Sequence, residues 1–255
     1  MSLASALLPL LPGGPGIIAF VGAGGKTSAL FGLARQVELQ GHRVLVTSTT
    51  HLLDPRGEPF RPRFDLILRP DLEAPLGSGP VPEGRRGLTV LMAREAPPTA
   101  KLKGIHPSWF PGLRQAWDFI LVEADGSKGL PIKAPEAHEP VLPPGTDLVV
   151  GVMGLDCLGR PMDGRTVHRP DRFRALTGCG AGTPIAWEHL VALARHPEGL
   201  FKQAPGPRAI LLNKIDRAPF LPTGSQLADL PADLILMGRL EPSEQLLDLQ
   251  GGTRP

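Results

Sequence analysis

The chain has 255 residues, 42% hydrophobic and 20% charged, with a net charge of +2; it is long enough for one large domain with a packed core, and its charge makes no case for nucleic acid or an anionic membrane as partner. Its 31 Gly and 30 Pro stop just short of the roughly 25–30% at which disorder is the better reading, so they are expected to mark turns between compact elements. Two cysteines, Cys157 and Cys179, lie far apart without a CxxC, which excludes a disulfide framework and a four-cysteine zinc site.

No charged residue precedes Lys26. Pro9, Pro12, Pro15 and the glycines between Gly13 and Gly24 interrupt this stretch, and it lacks the basic start of a signal peptide. Neither a membrane span nor a signal peptide is expected, and the chain is assigned to the cytoplasm. Ile17–Val21 reads as a buried strand, Gly22–Gly25 as a turn, and Ser28–Gln40 as a helix with Leu30, Leu33, Ala34 and Val37 on one face. Gly41 caps that helix and Val44–Thr50 is a second strand, giving a right-handed parallel crossover.

Residues 54–116 are an irregular Pro/Gly-rich insertion, with strands at Phe64–Leu68 and Leu88–Met92 and a short helix at Trp109–Trp117. Phe119–Val122, Leu148–Val152, Ala209–Leu212 and Leu234–Met237 are continuous apolar runs, the mark of parallel strands covered on both faces. Asp171–Leu176 and Ile185–Ala194 read as helices between them. The expected fold is a single α/β domain over residues 1–255: a mostly parallel open sheet with helices on both faces, three layers in all, like a phosphate-loop NTPase.

Three segments carry chemistry. In the first, Gly22, Ala23, Gly24, Gly25, Lys26, Thr27 and Ser28 join a strand to a helix. Consecutive backbone N–H groups and the helix N-terminus would cradle phosphates, Lys26 would reach the β/γ-phosphates, and the Thr27 hydroxyl would ligate Mg²⁺. Phe20 stands where G-x-x-x-x-G-K-[ST] has its first Gly, so the loop is a variant. In the second, Glu123, Asp125 and Gly126 end an apolar strand; the two carboxylates are candidates for organising Mg²⁺ and for catalysis, and the Gly126 N–H for the γ-phosphate. In the third, Asn213-Lys214-Ile215-Asp216 follows another buried strand. The Asp216 carboxylate suits the two donors of guanine, a pair that adenine lacks, while Asn213 would tie the base loop and Lys214 cover the purine.

These segments, with Val46-Thr-Ser-Thr-Thr-His51, the run from Val122 through Pro135, His138-Glu-Pro140 and His168-Arg-Pro170, resemble the YqeC family of selenium-dependent molybdenum hydroxylase accessory proteins. Ser48 and Ser127 depart from the pattern expected there. The family looks related to nickel-inserting metallochaperone GTPases. The resemblance implies a role in maturing molybdenum enzymes that carry labile selenium, with such a hydroxylase or another assembly protein as partner; a homodimer is also expected.

Other residues admit more than one reading. Thr47 to His51, including Thr49 and Thr50, either serve the γ-phosphate and Mg²⁺ water or are a β-branched strand end. Lys128, Lys133, His138 and Glu139 either bind a second anionic ligand, close over the nucleotide or form a solvated loop. His168 and Arg169 suit an arginine finger or a partner contact, against a helix-start salt bridge to Asp171. Cys157 and Cys179 read as small buried hydrophobes, and Trp109, Trp117 and Trp187 as core or interface anchors.

The leading expectation is a Mg²⁺-dependent nucleotide-binding protein, a slow GTPase with ATP as the other candidate. The alternatives are a kinase or nucleotidyltransferase for a small anionic substrate, and a nucleotide-binding scaffold without turnover.

Overall fold

The computed structural model describes residues 1–57, 63–77, 79–241 and 244–247, so part of the insertion around 54–116 lies outside the described residues. The strands, in chain order, are β1 (Ile17–Gly22), β2 (Arg43–Ser48), β3 (His51–Leu53), β4 (Asp65–Leu68), β5 (Gly87–Met92), β6 (Arg94–Glu95), β7 (Lys101–Lys103), β8 (Phe119–Glu123), β9 (Ile132–Lys133), β10 (Thr146–Gly154), β11 (Val167–His168), β12 (Arg208–Asn213), β13 (Leu234–Arg239) and β14 (Gln245–Leu246). The helices are α1 (Leu3–Leu7), α2 (Lys26–Glu38), α3 (Phe110–Ala116), α4 (Pro170–Thr177), α5 (Trp187–Arg195) and α6 (Gly224–Leu227).

Every residue of β1 and of β8 is buried, because both strands are covered on both faces. They lie at the centre of a nine-stranded sheet of order β14-β13-β12-β10-β1-β8-β2-β5-β4. Only the β13–β14 pairing is antiparallel; all the others are parallel. Alternation sends Ile18, Phe20, Val44, Val46, Leu121, Val150 and Leu211 to one face, against α1 and α2. Ala19, Val21, Val149, Ile210 and Leu212 face α4 and α5 on the other side. Ile17, Leu45, Ile120 and Val122 meet α3 on that same side. The result is the expected three-layer α/β/α arrangement with a mostly parallel open sheet.

Several boundaries differ from the sequence reading for local reasons. Helix α2 starts at Lys26 rather than Ser28, since Lys26 and Thr27 form its first turn at the loop. Ser2 caps a short helix in the uncharged N-terminal stretch, and Leu3 and Leu7 bury against the α2 face. Strand β2 ends at Ser48, and the chain restarts at His51 in a separate antiparallel sheet of order β3-β7-β6. A third sheet pairs β9 with β11. Among the described residues, no helix is long and apolar enough to cross a membrane.

The chain leaves β1 toward β2 on one side, and later passes from β8 over to β10 on the other. Ligands of open α/β sheets bind outside the carboxyl ends of strands at such a reversal. Here that place is the end of β1.

Candidate functional site

The turn after β1 is braced by backbone hydrogen bonds to β10 and to the segment after β8. Ala23 N–H donates to Val152 (2.9 Å), Gly24 N–H to Leu130 (3.1 Å) and Gly154 N–H to Pro131 (2.9 Å). Gly24 (φ +87°) and Gly25 (φ +127°) adopt backbone angles that side chains rarely tolerate. A Cβ on Gly24 would also overlap the Gly154 backbone, and one on Gly25 the Asn213 amide. Phe20 is fully buried in β1, whose pairing with β10 continues through Gly22. The loop therefore begins at Gly22, and this is why the first Gly of the longer pattern is replaced.

Gly25 is the N-cap of α2 and brings no capping side chain. The first helical bond runs from Ala29 N–H to Gly25, so the N–H groups of Lys26, Thr27 and Ser28 have no intrahelical acceptor and carry the positive end of the helix dipole. Thr27 Oγ1 donates to Glu123 Oε2 at 2.7 Å, placing a hydroxyl and a carboxylate together beside these amides. Among the described residues no group of three or more His, Cys, Asp or Glu suits a metal. One hydroxyl and one carboxylate fit Mg²⁺, which usually takes few protein oxygens and completes its shell with phosphates and water.

Asp125 faces elsewhere. It lies beyond the end of β8, accepts from Gly22 N–H (3.0 Å), and pairs with Lys26 (3.1 Å) and Lys133 (3.0 Å). Lys26 gives its hydrogen bond to the Gly22 carbonyl (2.6 Å), which leaves Asp125 Oδ1 in ionic contact without an aligned donor. Lys133 also donates to Gly126 O (2.8 Å) and to Glu139 (2.7 Å). Glu139 in turn takes Arg169 (3.1 Å from Nη2), and Arg169 reaches Glu136 (3.3 Å). The side chains of Lys26, Asp125, Lys133 and Glu139 are 1%, 2%, 1% and 7% exposed. A chain of alternating charge thus runs from Lys26, at the start of α2, to Arg169 at the start of α4. Against the cost of burial, the bonds from Arg169 and Lys133 hold the Glu139 carboxyl down to about 2.

A cavity of about 940 Å³ opens over the loop. Of the expected residues, Gly24, Gly25, Lys26, Thr27, Ser28, Thr49, Thr50, His51, Glu123, Gly126, Lys128, His138, Glu139, His168, Arg169 and Lys214 line it. Burial, then the charges of Arg169, Lys133 and Lys128, lower His168 to about 4, so it is neutral at pH 7. Burial and then Lys103, Lys101 and Arg94 lower His51 as well.

Other expected residues take structural positions. Thr47 and Ser48 are buried, with their hydroxyls on the carbonyls of Leu91 (2.6 Å) and Glu123 (2.8 Å). Asn213 Nδ2 donates to the Gly24 carbonyl at 2.8 Å, joining the β12 end to the loop after β1. Lys214 pairs with Asp156 at 2.9 Å. Asp216 is exposed on the turn Ile215–Arg217 and is not among the residues lining the cavity. The helix-start ion pair to Asp171 is made by Arg174 (3.5 Å), while Arg169 and Arg172 turn to Glu139 and Glu198. Cys157 and Cys179 are both free and buried, and burial pushes the Cys157 thiol up to about 12. The three tryptophans are also buried.

Sequence reasoning missed Lys101, Lys103 and Asp156, and the Glu139–Arg169 pair. One signal was present: the chain has few lysines beside many arginines. Five of them, Lys26, Lys101, Lys103, Lys128 and Lys214, line the cavity, and Lys133 lies just behind it.

Comparison with known proteins places this site in context. Residues 18–171 match the family described as "YqeC protein". A protein of Escherichia coli (strain K12), named "Uncharacterized protein YqeC", is 38% identical over 194 residues, covering 75% of this chain and 72% of that protein. No solved structure matches the chain significantly.

Proposed function

The chain belongs to the YqeC family, and from that premise we propose that it is a Mg²⁺-dependent nucleotide-binding protein, a slow GTPase that serves as an accessory factor in maturing selenium-dependent molybdenum hydroxylases. The observation that carries the nucleotide reading is the braced loop Gly22–Gly25 leading into an uncapped helix, with Thr27 bonded to Glu123 beside it. Mg²⁺, when bound by Thr27 and Glu123, neutralises charge on phosphate oxygens. Lys26 must exchange its Gly22 and Asp125 partners for those oxygens. Asn213-Lys214-Ile215-Asp216 supports guanine over adenine. The maturation role rests on the likeness of the run from Val122 to Pro140 to the family pattern.

Calorimetric titration with GTP and ATP, with and without Mg²⁺, tests this reading. GTP should bind more tightly than ATP and need Mg²⁺ for full affinity. Lys26→Ala should weaken both nucleotides by on the order of 100-fold, and Asp216→Asn should weaken GTP alone. Tighter ATP binding would overturn the guanine assignment.

A kinase or nucleotidyltransferase is the second reading. It is favoured by a cavity that extends well past the loop to Lys128 and His168. Transfer of label from the nucleotide to an acceptor in cell extract, rather than release of inorganic phosphate alone, would select it.

A further inference from the structure

The antiparallel sheet β3-β7-β6 projects from the carboxyl end of β2. Gly104 N–H and Ile105 N–H bind the carbonyls of Thr50 and Ser48 and fasten its exit to the same point (2.8 and 2.9 Å). Leu52 and Leu102 face each other across β3 and β7, fully buried. Alternation therefore turns His51, Leu53, Lys101 and Lys103 the other way, and all four line the cavity. The register puts Lys103 between His51 and Arg94, three basic side chains in one row. Like charges directly opposite destabilise a strand pair. Glu73 compensates Arg94 at 2.7 Å and acts on Lys103 only through space, while Lys101 and Lys103 make no ion pair or side-chain hydrogen bond among the described residues.

We propose that this face is a second anion site, separate from the phosphate loop, which takes a small molecule bearing a doubly charged oxyanion such as a phosphate ester. The charge distribution in the cavity carries the argument. Lys26, Arg169 and Lys214 each make an ion pair, whereas Lys101, Lys103 and Lys128 make none among the described residues. The surplus is thus gathered on the β2 side of the phosphate loop, while Asn213–Asp216 lies on the β12 side. A nucleotide with its base toward β12 leaves the Lys101–Lys103 face for another ligand. The proposal rests on the nucleotide reading only for this division of the cavity.

The test titrates inorganic phosphate into protein saturated with Mg²⁺ and a non-hydrolysable GTP analogue, read by calorimetry and by ³¹P line broadening. One further phosphate should bind. Lys101→Gln/Lys103→Gln should weaken it at least about tenfold, consistent with loss of charge-assisted bonds, and Arg at both positions should restore it. Affinity for the analogue should stay within about twofold, since the phosphate-loop contacts are untouched. Phosphate binding that is absent, or equal in the Gln variant, would overturn the proposal, as would a parallel loss of nucleotide affinity. If no nucleotide binds at all, the proposed function fails by itself. The anion site is then judged in Lys26→Ala protein, where phosphate binding must still depend on Lys101 and Lys103.

Discussion

On the side of the cavity formed by the loop after β1, buried charges run in opposite pairs: Lys26 with Asp125, Asp125 with Lys133, Lys133 with Glu139, and Glu139 with Arg169. On the β3–β7 side, His51, Lys103 and Arg94 stand in a row; Glu73 bonds Arg94 and acts on Lys103 and His51 only through space. Buried charges must be paired or the fold loses more than it gains. Half-exposed lysines on a two-residue-period strand face water and can remain unpaired at small cost. The difference separates groups that hold the fold together from groups whose pairing is left to a ligand.

Substitutions at the two sides should therefore differ in scale. Asp125→Asn leaves Lys26 and Lys133 without their shared carboxylate, and should cost about 3–5 kcal/mol of stability, read as a lower urea midpoint at constant slope. A loss below about 1 kcal/mol would show that water reaches this chain of charges.

Acidification should attack the same side. His168 is held at about 4, below the roughly 6.5 of an unfolded histidine, so the unfolded state protonates first and stability falls as pH drops from about 6.5 to 4. Glu139 is held at about 2 against roughly 4.3 unfolded; its contribution is complete above that higher value and is lost as pH falls toward 2. The urea midpoint followed from pH 7 to 3 should decline throughout, and His168→Gln should flatten the upper part.

The smallest effect belongs to the antiparallel sheet. Lys101→Gln/Lys103→Gln should change stability by no more than about 0.5 kcal/mol, and in the stabilising direction, because it relieves like-charge opposition. A marked loss in thermal unfolding would mean that these lysines are paired after all.

The same contrast explains what the sequence made legible. Strands β1, β8, β10 and β12 stand out because burial on both faces demands unbroken apolar runs. The loop Gly22–Thr27 stands out because Gly22, Gly24 and Gly25 adopt positive φ between a buried strand and a helix, where side chains would clash. Strands β3 and β7 escape because each buries a single residue, Leu52 or Leu102, between exposed or half-exposed neighbours. The ion pairs of Lys133 with Asp125 and Glu139 are set by the course of residues 124–140, and no local spacing announces them, so the sequence alone leaves this lysine between a ligand contact and a solvated loop. Asn213 was expected to order a base loop, yet its amide reaches back to Gly24, a contact made across the sheet.

The bonds from Ala23, Gly24 and Gly154 tie the loop after β1 to β10 and to the segment after β8. Those amide protons should exchange slowly with solvent in the ligand-free protein, at rates set by opening of the central sheet. The entropy of ordering this loop then belongs to folding, carried by the same backbone bonds that hold it to the central sheet.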